Sequence, residues 1–438
     1  MAGEWFEKRN LLYFNLENYK IMSKKGWWCA LKQYTLKNHN VILGAGVLNF
    51  MCLGLMYSWS KFATEIREEL AMDHSRVTLA YTICMAVFTV GILMDGVLGK
   101  KLSPRTCSLI GTFLTVAGYA LTSCVPVENP ALLYLSYGPL EGLGIGLVYN
   151  EWLSNIVYWF SDRSGLASGL LLLGMGLSGV TTTPVMAWLT QTLGWRSSFR
   201  VIALLFLVTG LFFRRYLLPV DGMRNLTPSA SSRSVGLEMN SWQMLCQPCF
   251  WSFALWKLII IGLGQACSGQ LAEIVVDMNG GDLLQLAAVS LFVVCNGIAR
   301  LLWGMSCDRI GRVRTMQTIA FLAVLSTSLL VFGFKQKELW ITVFALLMIA
   351  LCYGGGATLG ANYIVSVFGK KYYRQNNGVS ALTCLPVNIG ATSAIGVVRT
   401  VSGSYLPFFI ATLPAVFAAL LVAFASTHLI QKMKQNTT

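Results

Sequence analysis

Charge is scarce in this chain. Only 12% of its 438 residues are Asp, Glu, Lys or Arg, about half the share found in soluble domains. Too little polar surface remains to cover a water-soluble body, so lipid must cover the rest. Histidine is scarcer still. The three present, His39, His74 and His428, sit outside the middles of the apolar runs and cannot make a metal cluster. Strands of alternating polar and apolar residues are missing, which argues against a membrane barrel. The start, Met1 to Lys25, is charged throughout and lacks the apolar core of a signal peptide. No nucleophile–base set or metal cluster is visible at membrane depth, so nothing points to an enzyme. No cofactor or metal is implied.

Cysteine is present in number but not in pattern. Most of the 12, such as Cys52, Cys84, Cys295, Cys352 and Cys384, lie inside apolar runs and read as small packing residues. Cys246 and Cys249 have CxxC spacing, but no second pair or redox fold accompanies them. Asn225-Leu226-Thr227 matches a glycosylation acceptor but falls on a loop assigned to the inside, so it is discarded.

What is present is apolar length. The chain is 55% hydrophobic with a mean hydropathy of +0.60. A helix needs about 20 apolar residues to cross the hydrocarbon. Twelve stretches qualify: 41–62, 77–99, 105–125, 131–159, 165–192, 198–218, 250–275, 283–305, 314–334, 339–367, 378–399 and 405–429. The net charge of +14 follows the connections and does not indicate nucleic acid. With both termini inside, 23 Lys/Arg fall on inside segments and 8 on outside ones, Lys257 and Arg300 being intramembrane. That is the positive-inside bias. Residues 1–40 are expected to be a cytoplasmic segment. Trp5, Phe6, Leu11, Leu12, Tyr13 and Phe14 leave open an interfacial helix or a loose tail. Bundles of six spans are expected over 41–218 and 250–430, with a cytoplasmic loop at 219–249 and a tail at 431–438. The polar stretch Asp221–Ser241 divides them.

The halves repeat a loop. Gly304, Asp308, Arg309, Gly311 and Arg312 follow the eighth span. Gly91 and Asp95, with Gly96 in place of an arginine, follow the second. Glycines permit a short turn, and the Asp can cap a neighbouring helix or pair with an arginine. This resembles the signature loop of the major facilitator superfamily, whose layout is two six-helix halves joined by a hydrophilic loop. The resemblance implies an all-α, 12-transmembrane-helix fold of two pseudo-symmetric bundles, and a conformational latch at these residues. Further segments resemble the oxalate/formate antiporter family: Gly54 to Phe62, Trp159 to Gly169, Gly194-Trp195-Arg196, Asn296 to Gly304, Phe368 to Lys371 and Asn376-Asn377-Gly378. Monocarboxylate transporters are close cousins. What this implies is carriage of small carboxylates by alternating access, with Arg300 on the position that binds the carboxylate. The family's oxalate carrier has a lysine in span eleven, where this chain has none. Of its span-ten aromatics only Tyr353 has a counterpart. These departures argue against oxalate itself.

The intramembrane charges carry the functional reading. A guanidinium at bilayer depth costs about 2.5–3.5 kcal/mol on insertion scales, so Arg300 needs a cavity and an anion, or an acid on a neighbouring helix. Asn296, four residues earlier, shares its helix face. Lys257, about 10 Å into span seven, either replaces the missing lysine as second carboxylate partner or snorkels to the headgroups. Tyr57 and Tyr353 are candidate cavity walls. So are Trp59, Tyr81, Tyr149 and Trp152, though each also suits packing. Glu141, near mid-membrane, is a proton-coupling candidate, a neutral hydrogen-bonded acid, or an ion partner of Lys257 or Arg300. The leading expectation is a secondary transporter of small mono- or dicarboxylates, by antiport or proton symport, in a cell membrane, with a monomeric functional unit and no nucleic-acid partner. The alternatives are a different solute with Arg300 in a structural ion pair, or a non-transporting nutrient sensor.

Overall fold

The computed structural model describes residues 39–160, 162–217 and 237–435. The readings placed on residues 1–38 and on Asn225 fall outside them. Residues 1–44 and 45–438 form separate compact units, and every contact below lies within the second.

Twelve rods run through the described residues. α1 runs His39–Leu53, tightens to a 3-10 stretch at Gly54–Ser58 and resumes as Trp59–Glu69. α2 is His74–Leu98 and α3 is Pro104–Thr122. α4 comprises Leu132–Leu135, a π-helical stretch Ser136–Glu141 and Gly142–Trp159. α5 and α6 share the continuous run Ser164–Phe213, broken at Gly194 (φ +75°). α7 is Pro248–Asp277, α8 Asp282–Ile310, α9 Arg312–Gln336 and α10 Leu339–Phe368. α11 is split into Tyr373–Leu382 and Leu385–Ser402, and α12 is Leu406–Gln435. Among the described residues, nine helices meet a simple length-and-hydropathy test for crossing a membrane. α3, the interrupted α4 and the polar-edged α5 are the spans that this test passes over.

The breaks have local causes. Pro139 has no amide hydrogen and its ring crowds the preceding turn, so α4 widens to π geometry over a stretch that ends with Glu141. Pro386, at the start of the second α11 segment, breaks α11 in the same way. Gly311 (φ +90°) turns α8 into α9 within one residue, a conformation closed to residues with a Cβ. Ser103 caps α3 by accepting from the Thr106 amide at 3.3 Å, with Pro104 following at the first helical position.

The halves α1–α6 and α7–α12 meet along two seams, α5 against α8 and α2 against α11. Both seams tighten toward the end that carries Asp95 and Asp308, here called the latch end. At the opposite end each half is tied within itself: Arg196 pairs with Glu69 at 2.7 Å, and Arg399 with Asp277 at 2.7 Å.

Candidate functional site

A cavity of about 150 Å³ lies where the halves face each other. One ordered water takes roughly 10–15 Å³ on this measure, so a guest of several heavy atoms fits. The cavity is lined by Tyr57 (α1), Thr89 (α2), Tyr149 (α4), Met175 (α5), Lys257 and Gln265 (α7), Arg300 (α8), Tyr353 (α10) and Asn377, Cys384 and Asn388 (α11).

Arg300 is 7% exposed. Its Nη1 donates to the Leu172 carbonyl of α5 at 2.8 Å, and its Nε has no partner. Among the described residues no carboxylate lies within 4.0 Å of the guanidinium. Its approach to α5 depends on small residues. A Cβ on Gly169 would stand 2.7 Å from the Arg300 carbonyl, and one on Gly176 would stand 3.8 Å from Nη1.

Lys257 is equally buried. Its Nζ donates to the Ser380 carbonyl at 3.0 Å and lies 3.4 Å from the Ser380 hydroxyl. Ser380 lies in the last turn of the first α11 segment, ahead of the break at Pro386. The ammonium therefore caps a carbonyl in the last turn of the broken helix, which the Thr383 hydroxyl also bonds, where the helix dipole favours a cation. It does not snorkel to headgroups.

Three tyrosines face these cations from three helices. Tyr149 is wedged between Phe50 and Phe88 at ring separations of 5.2 and 5.3 Å. Tyr353 packs on Gly264, where a Cβ would come within 2.8 Å of its ring carbon Cδ2. Tyr57 sits on the 3-10 stretch of α1, and the altered turn aims it at the cavity. Two amides of α11 on the cavity wall bridge the halves. Asn388 donates to the Thr89 hydroxyl at 3.0 Å, and Asn377 donates to Asn150 at 2.8 Å.

Two residues singled out in the sequence lie elsewhere. Asn296 shares α8 with Arg300 but turns toward Gly354 of α10, and its Oδ1 accepts no hydrogen bond. Four residues advance a helix by slightly more than one turn, and that offset is enough to leave Asn296 off the cavity wall. Glu141 is fully buried inside the first half. It sits over Gly118 of α3, with the Tyr119 hydroxyl as its polar neighbour. It pairs with neither Arg300 nor Lys257. Trp59 and Trp152 are packed inside the first half rather than on the cavity wall.

The repeated loop motif closes the latch end. Asp308 accepts from the Gly165 and Leu166 amides at 2.9 and 2.7 Å, capping the start of α5. Arg312 stands 3.8 Å from Asp308 and donates to the Ser164 hydroxyl at 3.2 Å. Gly304 meets Gly165 backbone to backbone. In the other copy Asp95 pairs with Arg374 of α11 at 2.5 Å. Gly91 sits away from this contact. It lets α2 approach α4, where a Cβ would come 2.6 Å from the Leu143 carbonyl. Arg309 is exposed at the turn.

Comparison with known proteins identifies this architecture. Residues 43–278 match the Major Facilitator Superfamily. The chain belongs to that superfamily. It is therefore a membrane transporter and not an enzyme. The oxalate:formate antiporter of Oxalobacter formigenes is 26% identical over 345 residues, covering 76% of this chain and 78% of the relative. Monocarboxylate transporter 13 of Rattus norvegicus is 30% identical over 165 residues, 38% of each chain. The crystal structure of the transporter FucP in its outward conformation superimposes with a TM-score of 0.68 at 13% identity, covering 88% of this chain and 98% of FucP. Such a likeness speaks for the major facilitator fold alone.

Several residues of this transporter escaped the sequence reading. Thr89, Gln265 and Asn388 carry no charge, and a polar residue in a span is common enough to be passed over; Asn377 enters only within a segment of the family resemblance. Arg374 was counted only as an inside-loop charge. The break at Pro386 was the available signal for α11, since an interrupted span frees carbonyls for a partner.

Proposed function

We propose that this transporter carries small organic anions, mono- or dicarboxylates, bound between Arg300 and Lys257. The observation that supports this reading is that two buried cations line one cavity and neither has a carboxylate partner among the described residues. A buried charge left unpaired is costly, and a visiting anion removes that cost. A guanidinium offers a planar fork to a carboxylate. The ammonium supplies a second point charge, which a dicarboxylate uses fully and a monocarboxylate does not. Tyr57 and Tyr353 add hydroxyls and aromatic edges. Glu141, buried beside Tyr119 with no basic partner among the described residues, is the proton-coupling residue in the symport version of this reading. In this reading the latch end and both termini face the cytoplasm, which the Lys/Arg distribution supports, the bundles span 41–218 and 250–430, and a monomer is the working unit.

The hydrogen bond from Arg300 to Leu172 favours a second role for the same residue. It staples the halves, so an anion that recruits Arg300 also loosens the seam. Ligand and movement are then linked through differential contacts.

The test is uptake of labelled mono- and dicarboxylates into sealed proteoliposomes. Arg300→Gln should lower uptake of every accepted carboxylate about 100-fold, from ~3 kcal/mol of lost charge-assisted hydrogen bonding. Lys257→Gln should impair dicarboxylates far more than monocarboxylates. If Arg300→Gln leaves carboxylate uptake intact, the reading fails, and a neutral solute with a structural Arg300 takes its place. Retention of the full pH dependence in Glu141→Gln would remove Glu141 from the coupling step.

A further inference from the structure

The two seams close the latch end with different charge balances. On the α5–α8 side, Asp308 faces Arg312 and the amide-rich start of α5, so one acid meets one base. On the α2–α11 side, two acids meet one base. Asp95 of α2 is fully buried and Glu151 of α4 is 2% exposed. Both contact the Arg374 guanidinium of α11. Oxygens of the two carboxyls and the Cys107 thiol of α3 lie within 4.8 Å of one another. The titratable groups facing this point are Asp95 from α2, Cys107 from α3, Glu151 from α4 and Arg374 from α11. The amides of Asn150 and Asn377 are neutral.

With both acids ionised, one negative charge would remain unmatched in a buried place. Two carboxylates this close, with a single guanidinium between them, do not both ionise. The hydrogen bonds distinguish the two acids. Asp95 accepts from Arg374 Nε at 2.8 Å, from Arg374 Nη2 at 2.5 Å and from Asn150 Nδ2 at 3.0 Å. Glu151 Oε2 touches the same guanidinium and accepts from no other donor, so it is the less stabilised anion of the two. Arg374 already fills the centre of the cluster, where a metal ion would otherwise sit.

We propose that the closed α2–α11 latch binds one proton, on Glu151, and that loss of this proton drives the latch open. Opening lets water reach both acids and solvate both as anions. The closed state therefore holds one proton more than the open state. Closure is favoured in acid and weakens as pH rises, by up to about tenfold per pH unit. The α5–α8 seam lacks the extra acid and has no such dependence. This proton site is separate from the cargo cavity, and the proposal does not rest on what the cargo is.

Hydrogen exchange of the intact transporter in detergent, from pH 5.5 to 8.5 and corrected for intrinsic exchange, tests it. In wild type, amide protection in segments 92–101 and 373–382 should fall by roughly tenfold per pH unit over part of the range. Glu151→Gln should keep these segments protected and flatten the slope. Asp95→Asn, which also leaves one acid with one base, should flatten it too and serves if Glu151→Gln does not fold. Asp308→Asn should lower protection at segment 164–170 and leave the slope at 373–382 unchanged. A wild type without a slope, or a wild-type slope in both Glu151→Gln and Asp95→Asn, overturns the proposal.

Discussion

Arg300 and Lys257 differ in how their charge is held. The guanidinium crosses the seam to a main-chain carbonyl of α5, while the ammonium stays within its own half and caps the break in α11. Each is bonded to neutral oxygens, which is enough to seat a cation and not enough to neutralise it. Cys384 lies beside them on the cavity wall at the break itself, 8% exposed. It is therefore a native reporter of occupancy. A small thiol reagent should modify Cys384 slowly in the empty transporter. A saturating accepted carboxylate should slow that reaction at least about tenfold, read as rate of mass addition at this residue. Protection that persists in Arg300→Gln would place the cargo elsewhere. Arg300 was legible in the sequence because charge inside an apolar run is rare. Asn388 and Thr89 were not, because they become a pair only when α2 and α11 meet.

The elements decide how closely the halves approach. α5 presents Gly165 and Gly169 to α8, and contact there is backbone to backbone. Such close approach has no tolerance for added volume. Gly169→Leu should force α8 outward near Arg300 and lower uptake at least about tenfold while helical content by circular dichroism stays constant. Gly390→Ala, on α11 where a Cβ meets nothing within 4 Å, is the matched control and should leave uptake unchanged. The spans themselves were readable from apolar length. The π stretch of α4 and the 3-10 stretch of α1 were less so, since both follow from local backbone competition that hydropathy does not register. The sequence also placed Asn296 beside Arg300 by helical spacing. That argument fails because a helix face is wide, and packing on Gly354 chooses which part of it reaches the cavity.

At the scale of the whole molecule, two exposed native cysteines report on orientation. Cys124 stands at the far end and Cys246 at the latch end. With the latch end in the cytoplasm, a membrane-impermeant thiol reagent should label Cys124 in sealed right-side-out vesicles and Cys246 only after permeabilisation. The reverse order would invert the assignment made from Lys and Arg. The amino-acid sequence by itself determined the class of molecule: twelve apolar runs cannot be left in water, and two loop motifs of Gly and Asp mark a repeated half. It also singled out Arg300, because an isolated guanidinium in lipid demands an explanation. Only the tertiary structure decided which polar groups meet across the halves. Lys257 found Ser380, Asp95 and Glu151 found the same Arg374, and Glu141 found no charge at all. Those outcomes depend on helix rotation and close approach, which one-dimensional periodicity leaves free, and on the buried charge balance, which exists only once distant residues share one dry place.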